Sequence, residues 1–188
     1  MRATLLLIVG ILVIGVGAWY YKNSHTDTPV WAAYRNDDLG LKFDYRLQPE
    51  KYILIENNES AFGDLNLVEY VSIFNEQEYM EVVSSTIPRE GPPGIHIMVF
   101  NNPQGLSPRA WSDEHLNISN INHVKGSISQ TNFAGVPTVL YESDGLYTSD
   151  NIIALNNGRI YVISGAYLDE NSRIRRDFIE MLTHLGLY

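Results

Sequence analysis

The residues able to do chemistry are few and scattered along the chain. The five histidines are His25, His96, His115, His123 and His184. No two of them stand at the i, i+4 spacing that sets two imidazoles on one helix face to hold zinc. His115 and His123 bracket the end of a predicted helix and are the pair that could meet in space. The chain has no cysteine, which removes disulfides, thiolate metal sites, a cysteine nucleophile and a lipid-modified cysteine. Asp37-Asp38 reads as a turn, and Asp113-Glu114 as the acidic complement to the positive end of a helix dipole. Asp144-Gly-Leu-Tyr-Thr-Ser-Asp150 faintly resembles the alternating oxygen ligands of a calcium loop. It is also where a carboxylate-based hydrolase would be sought, with two convergent carboxylates about 5–10 Å apart. There is no Gly-x-Ser-x-Gly elbow and no glycine loop that would cradle a phosphate. The pattern predicts no catalytic residues, no cofactor and no metal.

The aromatic residues suggest binding instead. Trp31, Tyr52, Tyr79 and Tyr147 lie in or near predicted loops, and Pro92 and Pro93 stiffen a Gly91-Pro-Pro-Gly94 connector. These six form a candidate partner surface, for a peptide, a glycan or an apolar ligand. The competing reading is that they pack the rim of the core.

Composition narrows the setting. The 188 residues carry a net charge of −9. Setting aside Arg2 and Lys22 leaves 11 basic against 22 acidic side chains, a balance of −11 beyond the N-terminal segment. An acidic domain without a basic stripe does not fit a nucleic-acid partner. Ala3 to Tyr21 contains no charge and is about as long as a helix needs to be to cross a bilayer. Trp19, Tyr20, Tyr21 and Lys22 follow as an interfacial belt. Residues 1–22 therefore read as a transmembrane anchor with a cytoplasmic N-terminus. Val16-Gly17-Ala18 leaves a cleaved signal peptide as the alternative, and both readings export the rest. Asn23 to Val30 is a polar tether, and residues 31–188 are one globular domain with no internal repeat.

The elements of that domain follow from periodicity. Gly40 to Tyr45 alternates, and Pro49 ends the run. Tyr52–Ile55, Leu67–Phe74 and Ile95–Phe100 are strands, with a short helix between Asn75 and Ser85. Along Leu67–Phe74, Glu69 falls on the same side as Val71 and Ile73. Ser107 and Pro108 mark a helix start, with Leu106 and Trp111 placed as a hydrophobic staple. That helix is predicted to reach about Asn117, with Trp111, His115 and Ile118 inward. Ser127–Phe133 and Val136–Ser143 flank Ala134-Gly135 as a tight hairpin. Asp150–Asn156 and Arg159–Tyr167 flank Asn157-Gly158, a type I′ signal because both central residues need positive φ. Arg159–Tyr167 is apolar on both faces, so it should lie near the middle of the sheet. Ile174, Phe178, Met181, Leu182 and Leu185 make one apolar stripe on a closing helix from about Asn171 to Leu185. Asp177 and Glu180 sit off that stripe, and Gly186 suits a helix end.

Tyr34-Arg-Asn36 with Gly40-Leu-Lys-Phe-Asp-Tyr45, Gly135-Val-Pro137, the Gly158-Arg-Ile-Tyr161 hairpin and Phe178-Ile-Glu-Met-Leu182 together resemble the Mog1/PsbP-like superfamily. The resemblance spans about Tyr34 to Tyr188 and is similar to small exported PsbP-like domains behind a single anchor. This chain has Tyr45-Arg46 where the family often has a Tyr-Pro pair. The resemblance implies an α+β fold, a central antiparallel sheet flanked by helices as an α-β-α sandwich. It also implies a non-catalytic role, since relatives are mostly assembly or stabilising subunits or binding partners, and it carries no active-site motif. The expected function is a membrane-anchored extracytoplasmic domain that binds or helps assemble a cell-envelope partner. The alternatives are an exported carboxylate-dependent hydrolase and a small-ligand binder with an apolar cavity between sheet and helix.

Overall fold

The computed structural model describes residues 29–49, 51–57 and 66–188. The predicted anchor at 1–22 and most of the tether lie outside the described residues. Among the described residues no helix is long and apolar enough to cross a membrane.

Among the described residues ten strands form two sheets. They are β1 (Val30–Asn36), β2 (Leu41–Gln48), β3 (Tyr52–Asn57), β4 (Leu67–Asn75), β5 (Gly94–Asn101), β6 (Val124–Phe133), β7 (Val136–Ser143), β8 (Thr148–Asn156), β9 (Arg159–Tyr167) and β10 (Gly186–Leu187). The large sheet has seven strands in the order β3-β4-β5-β9-β8-β7-β6, and every pairing is antiparallel. The strand apolar on both faces, β9, lies at its centre. Ile160, Tyr161, Val162 and Ile163 are all at most 1% exposed. Asn157 and Gly158 both take positive φ, as do Ala134 and Gly135, so both two-residue hairpins form as their turn chemistry requires.

The helices are α1 (Glu76–Val83), α2 (Pro108–Glu114), α3 (Leu116–Ser119) and α4 (Arg173–His184). One face of the large sheet buries Val71, Ile73, Ile97, Val99 and Ile163 with Phe178 and Met181 of α4 and Phe43 of β2. The other buries Phe100, Ile153, Ile160 and Val162 with Trp111 of α2 and Ile118 of α3. The α-β-α layering expected from sequence is present.

Three details depart from it. β1, β2 and β10 form a separate three-stranded sheet beside α4, so Gly186, which does follow the helix C-cap Leu185, also opens a strand. Leu187 pairs with Leu41, a contact of residues 146 positions apart that no local pattern encodes. The predicted helix to Asn117 breaks at His115, whose φ of −120° and ψ of 55° are not helical. A new turn begins at Leu116, and Ser107 still caps the start, its hydroxyl accepting from the Ala110 amide at 3.2 Å. Finally, Asp177 is 5% exposed, although it was placed off the apolar stripe.

Candidate functional site

Antiparallel pairing fixes which loops share an end of the large sheet. Tyr52 pairs with Asn75, Phe74 with Gly94, Ile95 with Gly165, Tyr167 with Thr148 and Ser149 with Ser143. One end therefore collects the start of β3, the β4–α1 junction, the 84–93 connector, the β7–β8 loop and the β9–α4 loop. Val30 pairs with Gln48, four residues before the start of β3. All six predicted surface residues, Trp31, Tyr52, Tyr79, Pro92, Pro93 and Tyr147, consequently fall toward this end.

They do not form one cluster. Tyr147 donates its hydroxyl to the Gly91 carbonyl at 2.7 Å, which ties the proline connector to the β7–β8 loop. Pro92 and Pro93 are half-buried beside it. Tyr79 stacks on Phe74 with ring centroids 5.3 Å apart. Tyr52 is buried and donates to Asp177 Oδ2 at 2.9 Å. Trp31 lies under the Arg46 guanidinium at 5.1 Å and 5.9 Å from the His184 ring. Between the Tyr52 and Tyr79 neighbourhoods runs an open groove of about 560 Å³, lined by Pro49, Lys51, Asn75, Glu76, Gln77 and Met80. Its volume would admit a small molecule, but the groove is open to solvent along its length, which suits a segment of a partner more than an enclosed ligand.

The acidic candidates meet arginine. Glu142 and Asp150 are directly paired on β7 and β8, so their side chains share a face. Arg175 of α4 donates to Asp150 from Nε at 2.8 Å and from the terminal nitrogen at 3.2 Å. The same guanidinium stands 3.8 Å from Glu142 and 4.6 Å from the centre of the Tyr167 ring. Lys125 reaches Glu142 from the far side at 2.9 Å. The bidentate bond to Asp150 raises the pKa of Arg175, and burial raises that of Tyr167. A carboxylate held bidentately by arginine is a poor general base or nucleophile. Asp144 turns back to accept from the Gly145 amide at 3.1 Å and does not join Asp150. Among the described residues no group of three or more histidine or acidic side chains could hold a metal. His115 and His123 are not brought into a site: His115 stacks on Trp111 at 4.3 Å and donates from Nδ1 to the Trp111 carbonyl at 2.9 Å.

Two polar sites were not singled out from sequence. His96 faces Tyr70 and Ser72, whose hydroxyls both lie 3.1 Å from its Nδ1. Protein atoms crowd the ring although a sliver of it stays accessible, and this desolvation pushes its pKa down to about 4. The ring is neutral near pH 7, and among the described residues no carboxylate is hydrogen-bonded to it to make a triad. Glu69 of β4 lies near Glu56 of β3 and Tyr34. Burial first, and then the Glu56 charge, raise the Glu69 pKa, while burial lifts Tyr34 to about 12. The signal for Glu69 was legible, since alternation puts it on the face of Val71 and Ile73.

The space between sheet and helix is nearly closed. The cavity bordered by Tyr45, Arg46, Tyr52, Ile73, Ile95, Asp177 and Met181 holds about 10 Å³, room for one water at most. A small-ligand site there is thus too small by more than tenfold.

No family model matches the sequence, and no curated protein matches it. Among solved structures, the solution structure of cyanobacterial PsbP (CyanoP) from Synechocystis sp. PCC 6803 aligns with 87% of this chain and 96% of its own. The TM-score is 0.56 and the sequence identity 10%. The chain has a PsbP-like fold. At that identity the likeness speaks to architecture, and function has to be argued from the site.

Proposed function

We propose that this chain is a non-catalytic, membrane-anchored extracytoplasmic domain that binds a protein partner in the cell envelope. The observation that carries the non-catalytic part is the Arg175–Asp150 pair. The stretch best suited to acid–base chemistry spends its carboxylate on a bidentate arginine. Support for the anchor comes from the uncharged run Ala3–Tyr21 with its aromatic belt. Export then places the acidic domain outside the membrane. The groove between Pro49 and Met80 offers the partner a mixed surface, with the Lys51 ammonium, the Glu76 carboxylate and the exposed Met80 side chain. Methionine adapts to irregular apolar groups, which suits a partner segment laid along the groove.

Photocrosslinkers placed at Gln77 and Met80 in the native membrane test this reading. One reproducible envelope-protein adduct, absent when the crosslinker is moved to Gln104 at the opposite end, is the expected result. Adducts that are equally diverse at all three positions would remove the partner surface.

A further inference from the structure

The three most exposed large apolar side chains among the described residues are Leu168 at 76%, Ile87 at 66% and Leu146 at 61%. They are far apart in sequence and close in topology. Leu168 directly follows β9, and Leu146 stands two residues before β8, at the paired positions Tyr167 and Thr148. Ile87 belongs to the connector that Tyr147 grips through the Gly91 carbonyl. All three are therefore loop tips at the same end of the large sheet. It is the end at which the chain enters the domain. Val30 pairs with Gln48, and the three residues from there to Tyr52 span at most about 14 Å.

We propose that these loop tips rest on the lipid bilayer, so that this end of the domain is a membrane-facing surface. The inference rests on the anchor reading given above. Eight residues, Lys22 to Pro29, separate Tyr21 from Val30. Even fully extended they reach no more than about 28 Å. The tether thus holds this end within a domain's width of the headgroups. Contact with lipid becomes intramolecular, and tips too weak to bind a bilayer from solution engage it once tethered. Leucine and isoleucine are side chains that settle at the boundary of headgroups and acyl chains.

Charge argues that the attraction is apolar. Residues flanking the tips are Arg89 and Glu90, Asp144, and Asp169 with Glu170, an acidic balance that anionic lipid would not attract. The occupant is the bilayer surface as such, with no preference for an anionic headgroup. The groove between Pro49 and Met80 belongs to the same end, and none of the three tips lines it.

The natural absence of cysteine makes the test direct. The full chain carrying Ile87→Cys, Leu146→Cys, Leu168→Cys or the control Gln104→Cys is labelled with an environment-sensitive fluorophore. It is then placed in phosphatidylcholine vesicles with and without phosphatidylglycerol. Nitroxide-bearing lipid should quench the three tip labels severalfold more than the control, and aqueous iodide severalfold less, in both lipid mixtures. Flotation and resistance to alkaline extraction report the anchor separately. A chain retained in vesicles whose tip labels meet iodide as freely as the control overturns this inference alone. A chain that is not retained overturns the anchor together with it. Labels shielded only in native membranes assign the tips to a protein, and shielding that rises with protein concentration in detergent assigns them to a second copy. Either result also overturns the bilayer as occupant.

Discussion

Arg46 of β2 and Asp177 of α4 form an ion pair of 3.1 Å whose side chains are 13% and 6% exposed. Tyr52 of β3 donates to the other oxygen of Asp177, and Glu180, one helical turn on, accepts from Arg46 at 2.6 Å. One carboxylate thus joins the small sheet, the edge of the large sheet and the closing helix. Breaking such a pair leaves a charge stranded away from water, whereas replacing both partners by apolar groups removes the liability. Asp177→Ala leaves Arg46 with the half-exposed Glu180 and removes the acceptor of the Tyr52 hydroxyl, and is expected to cost about 2 kcal/mol of unfolding free energy. Arg46→Met with Asp177→Leu should recover most of that loss. Denaturant midpoints of the two variants decide it, and a double variant no better than the single one would show that the pair itself supplies the stability.

Gly165 of β9 faces the Phe178 ring, and a Cβ built on it would stand 2.5 Å from ring carbons. Phe178 is 1% exposed and has nowhere to turn. Gly165→Ala should lower stability by about 1–3 kcal/mol through overpacking. Phe178→Leu in the same chain should restore part of it. Gly145→Ala is the matched control, since its Cβ would meet only the Tyr147 carbonyl oxygen at 3.8 Å. Thermal unfolding of the three variants separates crowding from any general effect of removing a glycine.

His96 makes stability depend on pH with a definite sign. Its folded pKa is about 4, against an ordinary 6.5. Between those values the unfolded chain binds a proton that the folded ring refuses, so stability falls as pH drops through that window. The groups packed on the ring, Tyr70, Ser72 and Phe74, carry no charge there to offset it. The contribution is on the order of 2 kcal/mol for a ring that keeps some exposure. His96→Asn should flatten the stability profile between pH 4 and 6.5 relative to the parent. Identical profiles would mean that the ring protonates without penalty.

These three sites differ in how far the sequence reveals them. Hairpins, helix caps and the central position of Arg159–Tyr167 rest on local chemistry, and turn residues with positive φ or two-faced apolarity announce them directly. The burial of Asp177 does not. Its helix face is polar by periodicity, and it is buried because Arg46 stands across from it. A partner 131 residues away leaves no mark in a window of eighteen. The second sheet was missed for the same reason, since β10 is only Gly186–Leu187 and gains its strand geometry from β2. The six candidates for a partner surface are chosen by residue type and loop position, and one of them, Tyr52, is buried. Their gathering at one end followed only from strand order, because which loops are neighbours is a property of the whole sheet.

The bond from Tyr147 to the Gly91 carbonyl joins two loops 56 residues apart in sequence, and it should govern local opening more than global stability. The bond is exposed, so its net worth is about 0.5–1 kcal/mol. The connector that it holds has mostly exposed side chains from Ser84 to Gly91, so little apolar burial opposes opening there. Tyr147→Phe keeps the ring and removes only the hydroxyl. Amides of the non-proline residues from Ser84 to Gly91 should then exchange several times faster, while the unfolding midpoint moves little. Gly91→Ala provides the control: its Cβ would meet nothing within 4 Å, and its carbonyl remains to accept the bond. Exchange in that variant should match the parent. If Tyr147→Phe instead lowers global stability by as much as it loosens the connector, the loop opens only with the whole domain, and the tie is part of the core's cooperative unit.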